Sequence, residues 1–230
     1  MPVRIDKFLS NLKYGSRSDI KNLIKLRQIT VDGSIVIRPE QTIDPLKQTV
    51  EIDGIKVFYQ NPIHIALYKP KGFLSAHMDT MHPVALSLIG DPLNRFDLSI
   101  AGRLDLDAEG LLILTTDGTL LHQITHPNHH LPKTYEVILN RDFHDPEALL
   151  NGVTIKDGKG NLYLAKALTV EHEGIRVKII IDEGKFHQVK RMFMAVGYEV
   201  MQLKRTSIGA LTLGNLQPGE YRIFREEELR

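Results

Sequence analysis

Two residues in the segment Ser99–Gly118, SIAGRLDLDAEGLLILTTDG, have types and spacing suited to chemistry: Arg103 and Asp105. A carboxylate can hold a reacting fragment covalently or move a proton, and a nearby guanidinium favours its ionised form. Gly102 and Gly110 flank the pair, and the apolar run Leu111–Leu114 follows, closed by the Asp117-Gly118 turn signal. This pattern predicts an acid on a loop that a short buried strand supports, a common way to present a reactive group. The same residues also fit a plainer arrangement, in which Asp105 caps a turn and Arg103 neutralises it at the surface.

The elements that must position this loop are those of a globular protein. The chain has 230 residues, 42% hydrophobic and 25% charged, enough for one large or two small domains with real cores. With no cysteine, disulfides and thiolate metal or redox chemistry are excluded, which fits a reducing cytosol. No apolar run approaches the ~20 residues of a membrane span, and the N-terminus lacks a signal core, so a cytoplasmic protein without membrane contact is expected. Net charge is only +1. Its distribution is uneven, since residues 1–38 carry eight Lys and Arg against three Asp. A local basic face on a neutral protein is the footprint of a phosphate-binding module, although a run of basic residues can also be simply a solvated face.

Periodicity predicts a helix through Ile5, Phe8, Leu9 and Leu12. A second follows, capped by Ser16 or Ser18, with Ile20, Leu23 and Ile24 inward and Arg17, Lys21, Lys25 and Arg27 outward. Strands are expected at Ile63–Tyr68, Lys133–Val137 and Gly174–Asp182. Short helices are expected near Leu86–Ile89, Thr119–Thr125 and Pro146–Leu150, and a longer one over Phe186–Val196. Glu199–Ile223 should supply strands with Lys204 and Arg205 exposed, and the tail from Phe224 should be a frayed helix. Few short helices among many strands suggest an α+β domain on a mixed, mainly antiparallel sheet.

Four blocks carry a resemblance to a known family. Ala101-Gly102-Arg103-Leu104-Asp105, continuing through Asp107, Gly110, Leu111, Leu112, Thr115 and Gly118, resembles the G-R-L-D signature of bacterial ribosomal RNA pseudouridine synthases. Lys69-Pro70-Lys71-Gly72 resembles that family's K-P-x-G block, Lys133-Thr134-Tyr135 its K-x-Y block, and Glu183–Met192 its third block, in which many relatives have Arg at the place of Lys190. The order RIDKFLSNLKYGSRSDIKNLIKLRQITVDG resembles the small RNA-binding domain named after ribosomal protein S4. The resemblance implies an S4-like domain over residues 1–58, a linker at 59–62 and a catalytic domain over 63–230.

It further implies that Asp105 is the reacting acid and that Tyr135 lies against the target uracil. Lys190 would keep Asp105 ionised, and Arg103 would fill the space the flipped base leaves. Arg17, Lys21, Lys25, Arg27, Lys69, Lys71 and Arg191 would meet RNA. The reaction is an isomerisation that imports no group and changes no oxidation state, so no cofactor is expected. His122, His126, His129 and His130 have a spacing that invites a metal. No carboxylate or Cys completes that set and Pro127 breaks its geometry, so packing or RNA contact is expected and no metal. The run H-P-x-H-H before K-T-Y looks most like the branch modifying small-subunit (16S) RNA, with the protein acting as a monomer. A sibling acting on 23S RNA shares every catalytic block, and a non-catalytic RNA-binding assembly factor would have lost the acid or its partner.

Overall fold

The computed structural model describes residues 2–126 and 131–230. The chain forms two compact units, Met1–Pro62 with Gly90–Asp97, and Ile63–Ile89 with Leu98–Arg230.

In the first unit, β1 (Val3–Arg4) leads into α1 (Ile5–Asn11), which buries Ile5, Phe8 and Leu9 at helical spacing. Helix α2 (Arg17–Lys25) begins where Ser16 and Asp19 form a reciprocal capping box, and it turns Ile20 and Ile24 inward. The strands β2 (Ile29–Val31), β3 (Ser34–Ile35), β4 (Thr42–Ile43), β5 (Val50–Ile52) and β6 (Ile55–Lys56) follow. They form a four-stranded sheet in the order β3-β2-β5-β6, while β4 pairs with β1.

The segment Gly90–Asp97, assigned from sequence to the second domain, belongs to this unit. Its Phe96 ring meets Phe58 edge-on with centroids 6.0 Å apart and stacks on Tyr59 at 6.3 Å. Arg95 lies over the Tyr14 ring at 4.2 Å and donates to the Lys13 carbonyl at 3.3 Å. Tyr59, expected in a linker, is thus a packing residue, because an aromatic partner returns to it from later in the chain.

The second unit is built on one mixed sheet. Its strands are β7 (His64–Lys69), β8 (Ser99–Ala101), β9 (Glu109–Thr115), β10 (Lys133–Leu139), β13 (Thr169–Glu173), β14 (Arg176–Ile181), β15 (Val200–Ile208), β16 (Leu211–Thr212) and β17 (Tyr221–Ile223); β11 (Val153–Lys156) and β12 (Leu162–Ala165) form a separate hairpin. The main order is β13-β14-β10-β15-β9-β7-β17, with β16 on β15 and β8 on β9. The β15–β9 pair is parallel, at Lys204↔Glu109 and Arg205↔Gly110. The other pairs described in this sheet are antiparallel, as the expected mixed, mainly antiparallel α+β architecture requires.

Leu111 to Leu114 of β9 are all completely buried, which explains why this strand reads as a continuous apolar run instead of an alternation. Leu111 and Ile113 join a core with Leu120 and Ile124 of α3 (Gly118–Thr125). Beyond α4 (Pro146–Asn151), a second core gathers Tyr135, Val137, Ile179, Met192 and Phe193, the last two from α5 (Gln188–Ala195).

Several sequence expectations are corrected. Helix α5 starts at Gln188, not Phe186, because His187 takes the left-handed conformation at φ 52°. Ala85–Leu88 is a 3-10 turn. The tail is pinned, with Phe224 and Leu229 buried and Arg222 paired to Glu228 at 2.8 Å. Among the described residues no helix is long and apolar enough to cross a membrane.

Candidate active site

Asp105 sits on the loop between β8 and β9, and four sets of contacts hold that loop in place. Ser75 Oγ accepts from the Leu104 amide at 3.0 Å and donates to the Leu104 carbonyl at 2.9 Å. The Gly72 amide donates to the Leu106 carbonyl at 2.7 Å, which ties the Lys69–Gly72 turn to the same loop. The Ala108 amide closes onto the Asp105 carbonyl at 3.2 Å. Underneath, Arg205 reaches from β15, its Nε donating to the Leu111 carbonyl at 2.8 Å and its two Nη groups to Arg103 and Gly102 at 3.3 and 3.2 Å.

Arg205 is 2% exposed, which corrects the expectation that it faces solvent. It lies on an interior strand whose neighbour carries the loop, so its fork satisfies carbonyls at the base of that loop. The parallel pairing also dictates Gly110, whose φ is +114°. A Cβ there would come within 2.2 Å of the Arg205 carbonyl oxygen.

Around the Asp105 carboxylate the charges are close and shared. His187 Nε2 lies 3.1 Å from Oδ1, and Lys190 Nζ lies 3.5 Å from Oδ2. Lys190 makes its shorter contacts with Asp107, at 2.6 and 2.7 Å to the two carboxylate oxygens. Those bonds hold the Asp107 carboxyl below the usual carboxylate range. The expected Asp105–Lys190 pair therefore exists inside a wider cluster of two acids, a lysine and a histidine. Tyr135 is buried in the same core as Leu104 and Ala108, and β10 places it in register with Arg205.

Two further cations are buried nearby. Lys69 is completely enclosed, its ammonium donating to the Pro70 and Phe73 carbonyls at 3.0 and 2.8 Å. Burial pushes its pKa down to about 8, against the pull of Asp105 and Asp107. Lys133 donates to the Leu131 carbonyl at 2.9 Å, and burial followed by repulsion from Arg205 takes it to about 8.

A carboxylate on a braced loop, with a histidine and a lysine beside it, can act as a nucleophile or as a base. The model of the RNA pseudouridylate synthase family matches residues 63–195, and that of the S4 domain matches residues 3–45. The chain belongs to the RNA pseudouridylate synthase family. It is 39% identical to the Salmonella typhimurium ribosomal small subunit pseudouridine synthase A, over 99% of this chain and 98% of that one. It is 41% identical to an uncharacterized RNA pseudouridine synthase of Bacillus subtilis, over 99% and 97%. A crystal structure of a pseudouridylate synthase superimposes with a TM-score of 0.66 at 31% identity, covering 99% of this chain and 98% of that one.

For a pseudouridine synthase, the residues expected to meet RNA divide into three groups. Arg103 is exposed at the site, and Lys71 is a surface residue 3.9 Å from Glu109. On the S4 domain, Arg17, Lys21, Lys25 and Arg27 are all exposed, and none forms an ion pair among the described residues. Lys69 is a correction, while Arg191 is half-buried. Lys69 is turned inward to hold its own turn. Arg191 donates through Nη1 to the Lys156 and Asp157 carbonyls and lies 4.9 Å over the Phe186 ring, so it braces the β11–β12 hairpin.

His122 and His126 have ring centroids 4.7 Å apart. His129 and His130 lie outside the described residues, among which no group of three His, Cys, Asp or Glu is placed to hold a metal. Sequence reasoning gave no role to His187, Asp107, Ser75 or Arg205. His187 carried a signal nonetheless, since it stands three residues before Lys190 at the start of a helix, the spacing that puts two side chains on one face.

Proposed function

We propose that this enzyme converts a uridine of small-subunit ribosomal RNA to pseudouridine, with Asp105 as the group that meets the reacting nucleoside. The observation that carries the reading is the Asp105 carboxylate on a four-way braced loop, between His187 at 3.1 Å and Lys190 at 3.5 Å. The near-full-length similarity to a small-subunit enzyme supports the choice of 16S RNA over 23S RNA. All of these side chains come from one unit of one chain, which supports action as a monomer. Such a substrate also implies action in the cytoplasm, where ribosomal RNA is assembled into subunits.

The chemistry breaks the bond between uracil N1 and the ribose anomeric carbon and makes one from uracil C5 to the same carbon. A proton leaves C5 and one is gained at N1, so atoms and electrons balance without a cofactor. Reaching the bond requires turning the nucleotide out of its stack, at a cost of a few kcal/mol. Phosphate contacts from the Arg17, Lys21, Lys25 and Arg27 face would offset that cost, and Arg103 would occupy the vacated space. Tyr135 would hold the extruded uracil by stacking, while a rigid Asp105 avoids reorganisation during the reaction.

The test is pseudouridine formation in 16S and 23S transcripts and in immature subunits. Asp105→Asn removes charge with little change of shape, so activity should vanish while RNA affinity stays within about twofold. Turnover by that variant would refute the role of Asp105. Modification of 23S RNA in place of 16S RNA would refute the substrate, and inactivity of the unaltered protein on both would favour a non-catalytic assembly factor.

A further inference from the structure

Asp105 has two close polar neighbours, and the family signature accounts for Lys190. The other is His187, whose backbone and side chain are both unusual for where it sits. It occupies the N-cap of α5, a place where Ser, Thr, Asp or Asn normally returns a bond to the helix. His187 makes no capping bond, and its backbone lies in the left-handed region at φ 52°, ψ 29°. That conformation is costly for a residue with a Cβ and persists where the surroundings impose it.

The surroundings here fix the plane of the ring. The imidazole stacks on Phe186 with centroids 3.7 Å apart and planes 21° from parallel. Phe186 in turn lies under the Arg191 guanidinium, which is tied to the β11–β12 turn through the Lys156 and Asp157 carbonyls. The column ends with Nε2 at 3.1 Å from Asp105 Oδ1, closer than Lys190 comes to Oδ2 at 3.5 Å. Lys190 meanwhile makes its short contacts with Asp107.

We propose that His187 is a positioning residue for the isomerisation: in the working complex its Nε2–H turns to Asp105 Oδ1, 3.1 Å away, fixes the carboxylate plane and leaves Oδ2 as the oxygen that reacts. The inference rests on the reading of Asp105 as the reacting acid. With a proton on Nε2 the imidazole donates whether or not its other nitrogen is protonated, so the hold needs a donor at that reach and not a full charge. Lys190, shared between two acids, supplies charge without fixing orientation, because an ammonium on a flexible stem has no preferred plane.

The experiment compares the full-length enzyme with His187→Phe, His187→Gln and Asp105→Asn. It measures the single-turnover rate at saturating 16S transcript, the half-saturating RNA concentration and the melting temperature. His187→Phe keeps a ring to stack on Phe186 but has no donor. Its rate should fall by about 10- to 100-fold, the range for one lost hydrogen bond to a charged group. Half-saturation should stay within about twofold. His187→Gln places an amide donor at the same reach and should recover the rate to within about fivefold of the unaltered enzyme. A His187→Phe rate within threefold of the unaltered enzyme overturns the proposal. So does a His187→Gln rate as low as that of His187→Phe when both melt normally, or a defect confined to RNA binding. Turnover by Asp105→Asn would instead refute the assignment of the acid itself, so the two failures are distinguishable.

Discussion

Replacing Arg205 by Lys should loosen the loop that carries Asp105 while leaving every residue on it unchanged. The guanidinium donates to three carbonyls, of Leu111 at 2.8 Å, Gly102 at 3.2 Å and Arg103 at 3.3 Å. An ammonium on a shorter stem cannot span all three, and the two it abandons, on Gly102 and Arg103, lie in a part-buried setting. Hydrogen bonds to charged groups stabilise by about 1.5–3 kcal/mol each, and an abandoned buried carbonyl costs about 1–3 kcal/mol. With the shortest bond partly kept and two weaker ones lost, a net destabilisation of about 3 kcal/mol follows. For a unit of this size that lowers the melting temperature by about 6–12 °C. Because two of the three carbonyls belong to Gly102 and Arg103, the variant should also lose at least about tenfold in single-turnover rate at a temperature where it is fully folded. Circular dichroism melts and single-turnover pseudouridine assays at 20–25 °C below the new midpoint measure the two effects separately. A variant with the original midpoint and rate would refute the role of Arg205 as the brace of the loop.

Two other perturbations test the buried charges and the division between units. Lys69 and Lys133 titrate near 8 in the folded protein, against 10.5 when free, so between those values the unfolded chain binds more protons and stability must rise with pH. Urea midpoints should therefore climb from pH 8 toward pH 10, and the climb should shrink in Lys133→Met; an equal slope in that variant would contradict the assignment. Deleting residues 1–62 strips Phe58 and Tyr59 from Phe96, and Tyr14 from Arg95, so limited proteolysis should then cut within Gly90–Asp97. That variant should also show a flatter salt dependence of RNA binding, and a protected Gly90–Asp97 segment or an unchanged salt slope would refute the respective half of the reading.

What the chain revealed before folding was what depends on near neighbours. The apolar run Leu111–Leu114 is a central strand because burial on both faces leaves no polar alternation to obscure it. Ser16 caps α2 because its bond to the Asp19 amide spans three residues. Asp105 stood out because a signature of consecutive residues carries it. The misreading of Arg205 falls where the deciding partner is distant. Lys204-Arg205 looks like a solvated pair in any local window. Arg205 is inside because β15 runs beside β9, bringing it to the Leu111 carbonyl ninety-four positions away in the chain. Lys69 looks like a phosphate ligand for another reason: its carbonyl partners on Pro70 and Phe73 are near in the chain, but they come within reach only when the turn closes over it.

These two kinds of residue divide the work of the site. The signature supplies a carboxylate, but an aspartate on a glycine-flanked loop has no fixed orientation of its own. Placement of the loop comes from groups outside the signature, Ser75 on the Leu104 backbone and Arg205 beneath Gly102 and Arg103, while His187 stands 3.1 Å from the carboxylate itself. Lys190 and Asp107 then set the local charge. A chain that kept G-R-L-D but lost Arg205 or Ser75 would still present the acid in its sequence and would hold it poorly in space. For that reason the competence of this loop is better judged from its braces than from the aspartate alone.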